Sequence, residues 1–177
     1  MTKYRVTGEK EIFKARVFTL MSRDVILPTG RASNFSIIEH PGAVAILPVF
    51  ENGDVILLRQ FRVAAGGEIF EIPAGTLEAG ETPRATAARE IIEETGYKAR
   101  KLVKVAEFYT APGFCTEKMH LFRATGLSPA SAHQDEDEVI RALRVPFKKA
   151  LSMARTGKIR DAKSIVALLL AANGKVR

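Results

Sequence analysis

Between the N-terminus and residue 145 the chain offers one stretch that reads as a long helix, "TPRATAAREIIEETG", set among segments that read as strands. Thr82 is a suitable N-cap, and Pro83 stands at the first helical position, where its missing N–H is harmless. Gly96 suits the left-handed residue that ends a helix. Strands outnumber helices, and the helices come singly and late. That pattern argues for the α+β class, a mixed sheet with helices packed on it.

The strand readings rest on local pattern. Residues 10–40 alternate roughly in "IFKARVFTL" and "SNFSIIEH", which predicts early strands on either side of an "LPTGR" turn. "GAVAILPVF", "ENGD" and "VILLRQFR" predict a hairpin, two apolar runs around an Asn-Gly turn. "EIFEIPAG" predicts a short strand stopped by Pro73 and Gly75. Further strands are expected near 101–109 and 117–125, then a polar loop with "HQDEDE" and a last strand at "VIRALRV". "PFKKALSMARTG" and "DAKSIVALLLAANG" predict two C-terminal helices, the second capped by Asp161 and ended at Asn173-Gly174.

With 177 residues, 46% of them hydrophobic, the chain can bury a real core. The apolar run "IVALLLAA" is helix-sized but too short to span a bilayer. "MTKYRVTGEK" lacks the apolar region and cleavage site of an export signal. Cys115, the single cysteine, has no internal partner for a disulfide, which fits a reducing cytoplasm. The formal charge is +7, which favours a polyanionic partner. The Lys and Arg residues are dispersed, with no dense basic run and no interleaving with aromatics. That argues against nucleic acid and for a phosphorylated small molecule.

The helix crowds Glu90, Glu93 and Glu94 into little more than one turn. Like charges three and four apart destabilise a helix by a few tenths of a kcal/mol per pair. A hard divalent cation such as Mg²⁺, which takes oxygen ligands and keeps several waters, would reverse that repulsion. Glu90 and Glu94 can reach one ion, and Glu93 a second ion or its water shell. The alternative is ordinary: a Glu-rich helix is usually a solvated face, and Arg89 to Glu93 is a common i,i+4 ion pair.

The surroundings decide between these. Gly75, Glu81, Arg89, Glu90, Glu93, Glu94 and Gly96 occur at the spacing of the Nudix box, the signature of hydrolases that cleave nucleoside diphosphates linked to another moiety. A chance match at seven such positions arises about once in 10⁸ starting points. The chain resembles that family throughout the box, with Tyr97 at its closing hydrophobic position. The resemblance implies the Nudix fold, a mixed β-sheet sandwiched between helices (α/β/α). It implies Glu90, Glu94 and the backbone carbonyl of Ala74 as metal ligands, with Glu93 sharing in metal or water binding. Gly75 and Gly96 would shape the backbone, and Glu81 and Arg89 would hold loop and helix together.

Outside the box, "LLRQFR", "FEIPAGTLEAGE", "YTAPGFCTE", "DEDEVIR" and "GKIRDAKSIVALLL" resemble the ADP-ribose pyrophosphatase branch, from about His40 to the C-terminus. Ala111 and Cys115 stand where that branch commonly has Ser, around its "APG" marker with Pro112. The branch implies hydrolysis of ADP-ribose or a related ADP-sugar, with Mg²⁺ (or Mn²⁺) as cofactor. It implies a cytoplasmic homodimer in which residues 1–40 supply dimer-forming antiparallel strands and residues 41–177 the hydrolase domain. Arg62 is a candidate contact to a phosphate or terminal ribose, since a planar guanidinium suits bidentate phosphate binding. Glu71 either binds the nucleoside or merely flanks a strand, and Glu117 either supports the site or is a strand-edge charge. The branch places its general base on a glutamate in the acidic loop, which leaves both Glu136 and Glu138. His40, His120 and His133 lack ligand spacing and read as structural, and Cys115 reads as loop packing. Two other classes stay open: a Nudix hydrolase of GDP-mannose, dinucleoside polyphosphates or capped RNA, and a non-catalytic sensor on the same fold. The intact box, and a length with no room for a second domain, argue against the sensor.

Overall fold

The computed structural model of the chain describes residues 3–131 and 140–174. The chain divides into two compact units, one formed by the chain up to Gly42 with Phe108–Lys118, the other by Ala43–Glu107 and the chain from Met119.

The first unit is a three-stranded antiparallel meander of β1 (Arg5–Lys14), β2 (Thr19–Ile26) and β3 (Ala32–Glu39). The stretch "IFKARVFTL", expected as one strand, is broken by a tight turn in which Ala15 N–H donates to Phe18 O at 2.9 Å. Its alternation runs through the turn without a Gly, Pro or Asn to mark it, so pattern alone missed the break. The "LPTGR" turn forms as expected, with Leu27 N–H donating to Arg31 O. Arg23 on β2 pairs with Glu9 on β1 and Glu39 on β3, a cross-strand link on one face. Segment 108–118 joins this unit through Ile38, whose N–H donates to Phe114 O at 2.7 Å.

The second unit holds two sheets. One is antiparallel, in the order β10 (Ile140–Val145), β5 (Val55–Arg62), β6 (Gly67–Glu71). The other is mixed, in the order β7 (Ala74–Thr76), β4 (Ala43–Pro48), β9 (Lys118–Pro129), β8 (Tyr97–Tyr109). Here β4 runs parallel to β9 and antiparallel to β7. The expected hairpin is therefore corrected. Its turn forms, with Gly53 at φ 85° and Phe50 N–H bonded to Asp54 O at 2.8 Å. Beyond a single bridge between Val49 and Val55 the two strands part and enter different sheets. The reason lies in their burial: every residue of β4 and the first four of β5 are buried, with no alternation. Such strands are central ones, and each takes neighbours on both edges.

Helix α1 (Pro83–Thr95) packs on the mixed sheet through Ala87 and Ile91, against Val44, Ile46, Leu102, Phe122 and Ala124. Ala45 and Leu47 point to the opposite face of β4 and are also buried. Helix α3 (Ala162–Ala172) lies against β4, and α2 (Phe147–Arg155) against β5. The helix ends follow their local chemistry. Thr82 accepts from Ala85 N–H, Gly96 closes α1 at φ 71°, and Asp161 caps α3 by accepting from Ser164 N–H. The mixed and antiparallel sheets with helices laid on them make an α+β architecture. No helix among the described residues is long and apolar enough to cross a membrane.

Ile91 is fully buried between α1 and the sheet. Ile91→Ala is expected to destabilise the fold by about 2–5 kcal/mol, read as a lower denaturation midpoint at unchanged slope.

Candidate active site

The site is built where α1 meets β7, the edge strand of the mixed sheet. Gly75 was expected to stop a strand. It instead lies inside β7, paired with Val44. What excludes a side chain there is Glu90: a Cβ on residue 75 would lie 1.9 Å from Glu90 Oε1 and 2.0 Å from its carboxyl carbon. The Glu90 carboxylate thus rests on bare strand backbone. One helical turn on, Glu94 is only 4% exposed, and its Oε2 accepts from Ala74 N–H at 2.8 Å.

The register adds the Ala74 carbonyl to this surface. Ile46 N–H donates to Pro73 O, so the Ala45–Ala74 pair takes the non-hydrogen-bonded position of the ladder. The N–H and C=O of such a residue face away from the partner strand. Ala74 C=O therefore points to the side on which its N–H meets Glu94.

Arg89 answers the crowding of charge. Its Nη1 donates to Glu90 at 2.9 Å and to Glu93 at 2.8 Å, so one nitrogen gathers two of the helix carboxylates. Its Nη2 donates to Glu81 at 3.2 Å and lies 3.6 Å from Glu78. The hydrogen bond to Glu81, with the charges of Glu90 and Glu93, holds the guanidinium protonated well above its ordinary range. In return, hydrogen bonds from Arg89 and Thr86 hold the Glu81 carboxyl below its ordinary value. Glu81 and Arg89 thus tie the loop before α1 to the helix. Glu78 is a partner that pattern reasoning missed, because no spacing rule links a loop residue to Arg89.

A second charged group lies between β5, β6 and α3. Arg62 grips Glu71 with Nε on Oε1 at 2.7 Å and Nη2 on Oε2 at 3.2 Å. Lys163 of α3 bonds Glu71 Oε2 from the other direction and Asp161 at 2.9 Å. Burial alone would push the Glu71 carboxyl up, but the hydrogen bond from Arg62 and the charge of Lys163 hold it below its ordinary value. Lys163 was not among the residues singled out from the sequence.

The remaining candidates fall elsewhere. Glu117 belongs to the first unit, where it accepts from Thr110 Oγ1 at 2.5 Å and lies 3.8 Å from His40 Nε2. Cys115 is half-buried there, its backbone bridged to Ile38 and its Sγ accepting from Glu117 N–H. His120 sits on β9, 3.4 Å from Glu107. Glu136, Glu138 and His133 lie outside the described residues.

Among the described residues no three His, Cys, Asp or Glu side chains form a ready-made metal cage. The donor set still fits one kind of ion. Glu90, Glu94 and the Ala74 carbonyl are hard oxygens at a strand edge made bare by Gly75, and Glu93, also a hard oxygen donor, shares Arg89 with Glu90. An incomplete all-oxygen set suits an ion that retains waters, such as Mg²⁺, and not a closed structural site.

Comparison with known proteins shows the family. Residues 39–168 match the NUDIX domain. The chain is 43% identical over 166 residues to the ADP-ribose pyrophosphatase of Bacillus subtilis (strain 168), covering 93% of this chain and 90% of that one. It is 40% identical over 161 residues to the methanol dehydrogenase activator of Bacillus methanolicus, covering 90% and 87%. Among solved structures, an ADP compounds hydrolase superposes with a TM-score of 0.82 at 25% identity, covering 98% of this chain and 97% of that one.

Gly75→Ala would force the Glu90 carboxylate off the strand. Affinity for Mn²⁺, measured by titration calorimetry, is expected to fall about 10–100-fold, as when a ligand loses its support. The melting temperature should change little, since a short edge strand tolerates alanine.

Proposed function

Because the chain belongs to the NUDIX family, we propose that it hydrolyses the diphosphate of ADP-ribose, or of a closely related ADP-sugar, to AMP and a sugar phosphate such as ribose 5-phosphate. The observation that carries this reading is the α1–β7 contact, where Glu90 and Glu94 are seated on Gly75 and Ala74. The B. subtilis relative, named for this activity and matched along nearly its whole length, supports the choice of substrate. So does the solved relative named for ADP compounds.

The cofactor in this reading is Mg²⁺, with Mn²⁺ as a substitute, held by Glu90, Glu94, the Ala74 carbonyl and Glu93. A bound divalent cation neutralises the diphosphate and makes water more acidic. Arg89 keeps the glutamates ordered and limits their mutual repulsion before substrate arrives. Arg62 is half-exposed and presents a planar fork to the diphosphate, fixing its orientation. Glu136 or Glu138 takes the proton of the attacking water. Glu71 acts through Arg62, and Glu117 through its own loop. Residues 1–40 serve as dimer-forming strands and residues 41–177 as the hydrolase domain of a cytoplasmic homodimer. Exposed Ile12, Phe13 and Phe35 on the first unit's sheet, with Tyr4 just before β1, support an interface there.

AMP release is the test, from ADP-ribose, ADP-glucose, GDP-mannose, NADH and diadenosine polyphosphates, with Mg²⁺ and with chelator. The expected result is Mg²⁺-dependent cleavage, fastest on ADP-ribose. Faster cleavage of GDP-mannose would move the substrate and leave the chemistry in place. Full turnover by Glu94→Gln would overturn the metal-ligand assignment. One of Glu136→Gln and Glu138→Gln should lower kcat by about 10²–10⁴, and no loss in either would remove the base from this loop. Light scattering that finds only monomer would sink the homodimer.

A further inference from the structure

Glu71 is 2% exposed, yet two cations share it. Arg62 holds both carboxylate oxygens and is 40% exposed, whereas Lys163 holds one oxygen and is 13% exposed. The two cations are anchored unequally. Lys163 stands at the start of α3, clamped also to Asp161, which accepts from Ser164 N–H at 3.0 Å. Ser164 Oγ in turn accepts from Ile72 N–H at 2.7 Å, the residue after β6. Lys163 is thus fixed to the same strand end that carries Glu71. Arg62 stands at the end of β5 and leads into the exposed turn Val63–Ala65.

A buried carboxylate with a single cationic partner would hold that partner, because releasing it would leave an unpaired charge out of water. Two partners remove that restraint. We propose that Lys163 is a positioning residue that keeps Glu71 paired when Arg62 turns from it to an anionic diphosphate, so that Arg62 is a releasable contact. The charge held on Glu71 agrees with this, since both cations contribute to it. The inference rests on the reading of Arg62 as a diphosphate contact and adds a residue that acts without touching substrate. It also separates two roles for Glu71, which parks Arg62 in the free protein and is left to Lys163 in the complex.

The test is ADP-ribose affinity by calorimetry in chelator, alongside KM and kcat with Mg²⁺, for the full chain. Lys163→Met should weaken ADP-ribose binding and raise KM about ten- to a hundredfold, with kcat within about twofold, since Arg62 would then be locked on Glu71. Glu71→Gln combined with Lys163→Met should restore affinity to near the starting value, because a neutral residue 71 no longer retains Arg62. A merely structural Lys163 gives a different pattern: the double variant is no better than the single one, and kcat falls with the melting temperature. That result, or unchanged affinity in Lys163→Met, overturns the proposal. Arg62→Met that binds ADP-ribose normally would overturn both the contact and the role of Lys163. A wild-type protein that neither binds nor cleaves ADP-ribose would instead fell the functional reading, and the proposal with it.

Discussion

Glu90 lies where a side chain on residue 75 would have to be, so a helix carboxylate and the backbone of an edge strand are in direct contact. Much of the site follows from that approach. It brings α1 close enough for Glu94 to reach Ala74 N–H. It turns the outward face of β7, with the Ala74 carbonyl, toward the same carboxylates. It also packs Ala87 and Ile91 into the sheet at the depth where Val44, Ile46 and Phe122 receive them. Any residue other than glycine would put a Cβ 1.9 Å from Glu90 Oε1, and the carboxylate would have to leave the strand.

What could be read from the chain alone was what local chemistry determines. Thr82, Pro83 and Gly96 each satisfy a helix-end requirement within a few residues, and α1 runs between them as expected. The Asn52-Gly53 turn was legible for the same reason. The destinations of the strands leaving that turn were not, because partner choice depends on segments far along the chain. β4 pairs with β9, and β5 with β10. Gly75 shows the same limit in one residue: its place in the box was legible, but its neighbour Glu90 lies on another element, so it was misread as a strand stop. Lys163 was missed because its partner Glu71 is 92 residues away.

The two arginines at the heart of the second unit illustrate why whole-chain charge is a weak guide. Arg89 stands among Glu78, Glu81, Glu90 and Glu93, and Arg62 shares Glu71 with Lys163. A chain with a formal charge of +7 therefore has its most acidic local chemistry where a basic count would suggest a basic groove. The positive residues here work as fixed counter-charges. Both side chains are partly exposed, and each is held by carboxylates: Arg89 by several around α1, and Arg62 by the buried Glu71.

The parallel pairing of β4 with β9 has a consequence for how the protein comes into being. Ala43–Pro48 must wait for Met119–Ala124 before the central ladder of the mixed sheet can close. Contacts so far apart along the chain pay their loop-closure entropy before they stabilise anything, which places them late in folding. During synthesis the segment that becomes α1, with its clustered glutamates, is made well before β9. It is then a short helix with a poorly supported apolar face and little stability of its own. The last half of the chain therefore does more than extend the fold: β7, on which the carboxylates rest, is made before α1, but the sheet that fixes the helix against it closes only when Phe122 and Ala124 of β9 arrive.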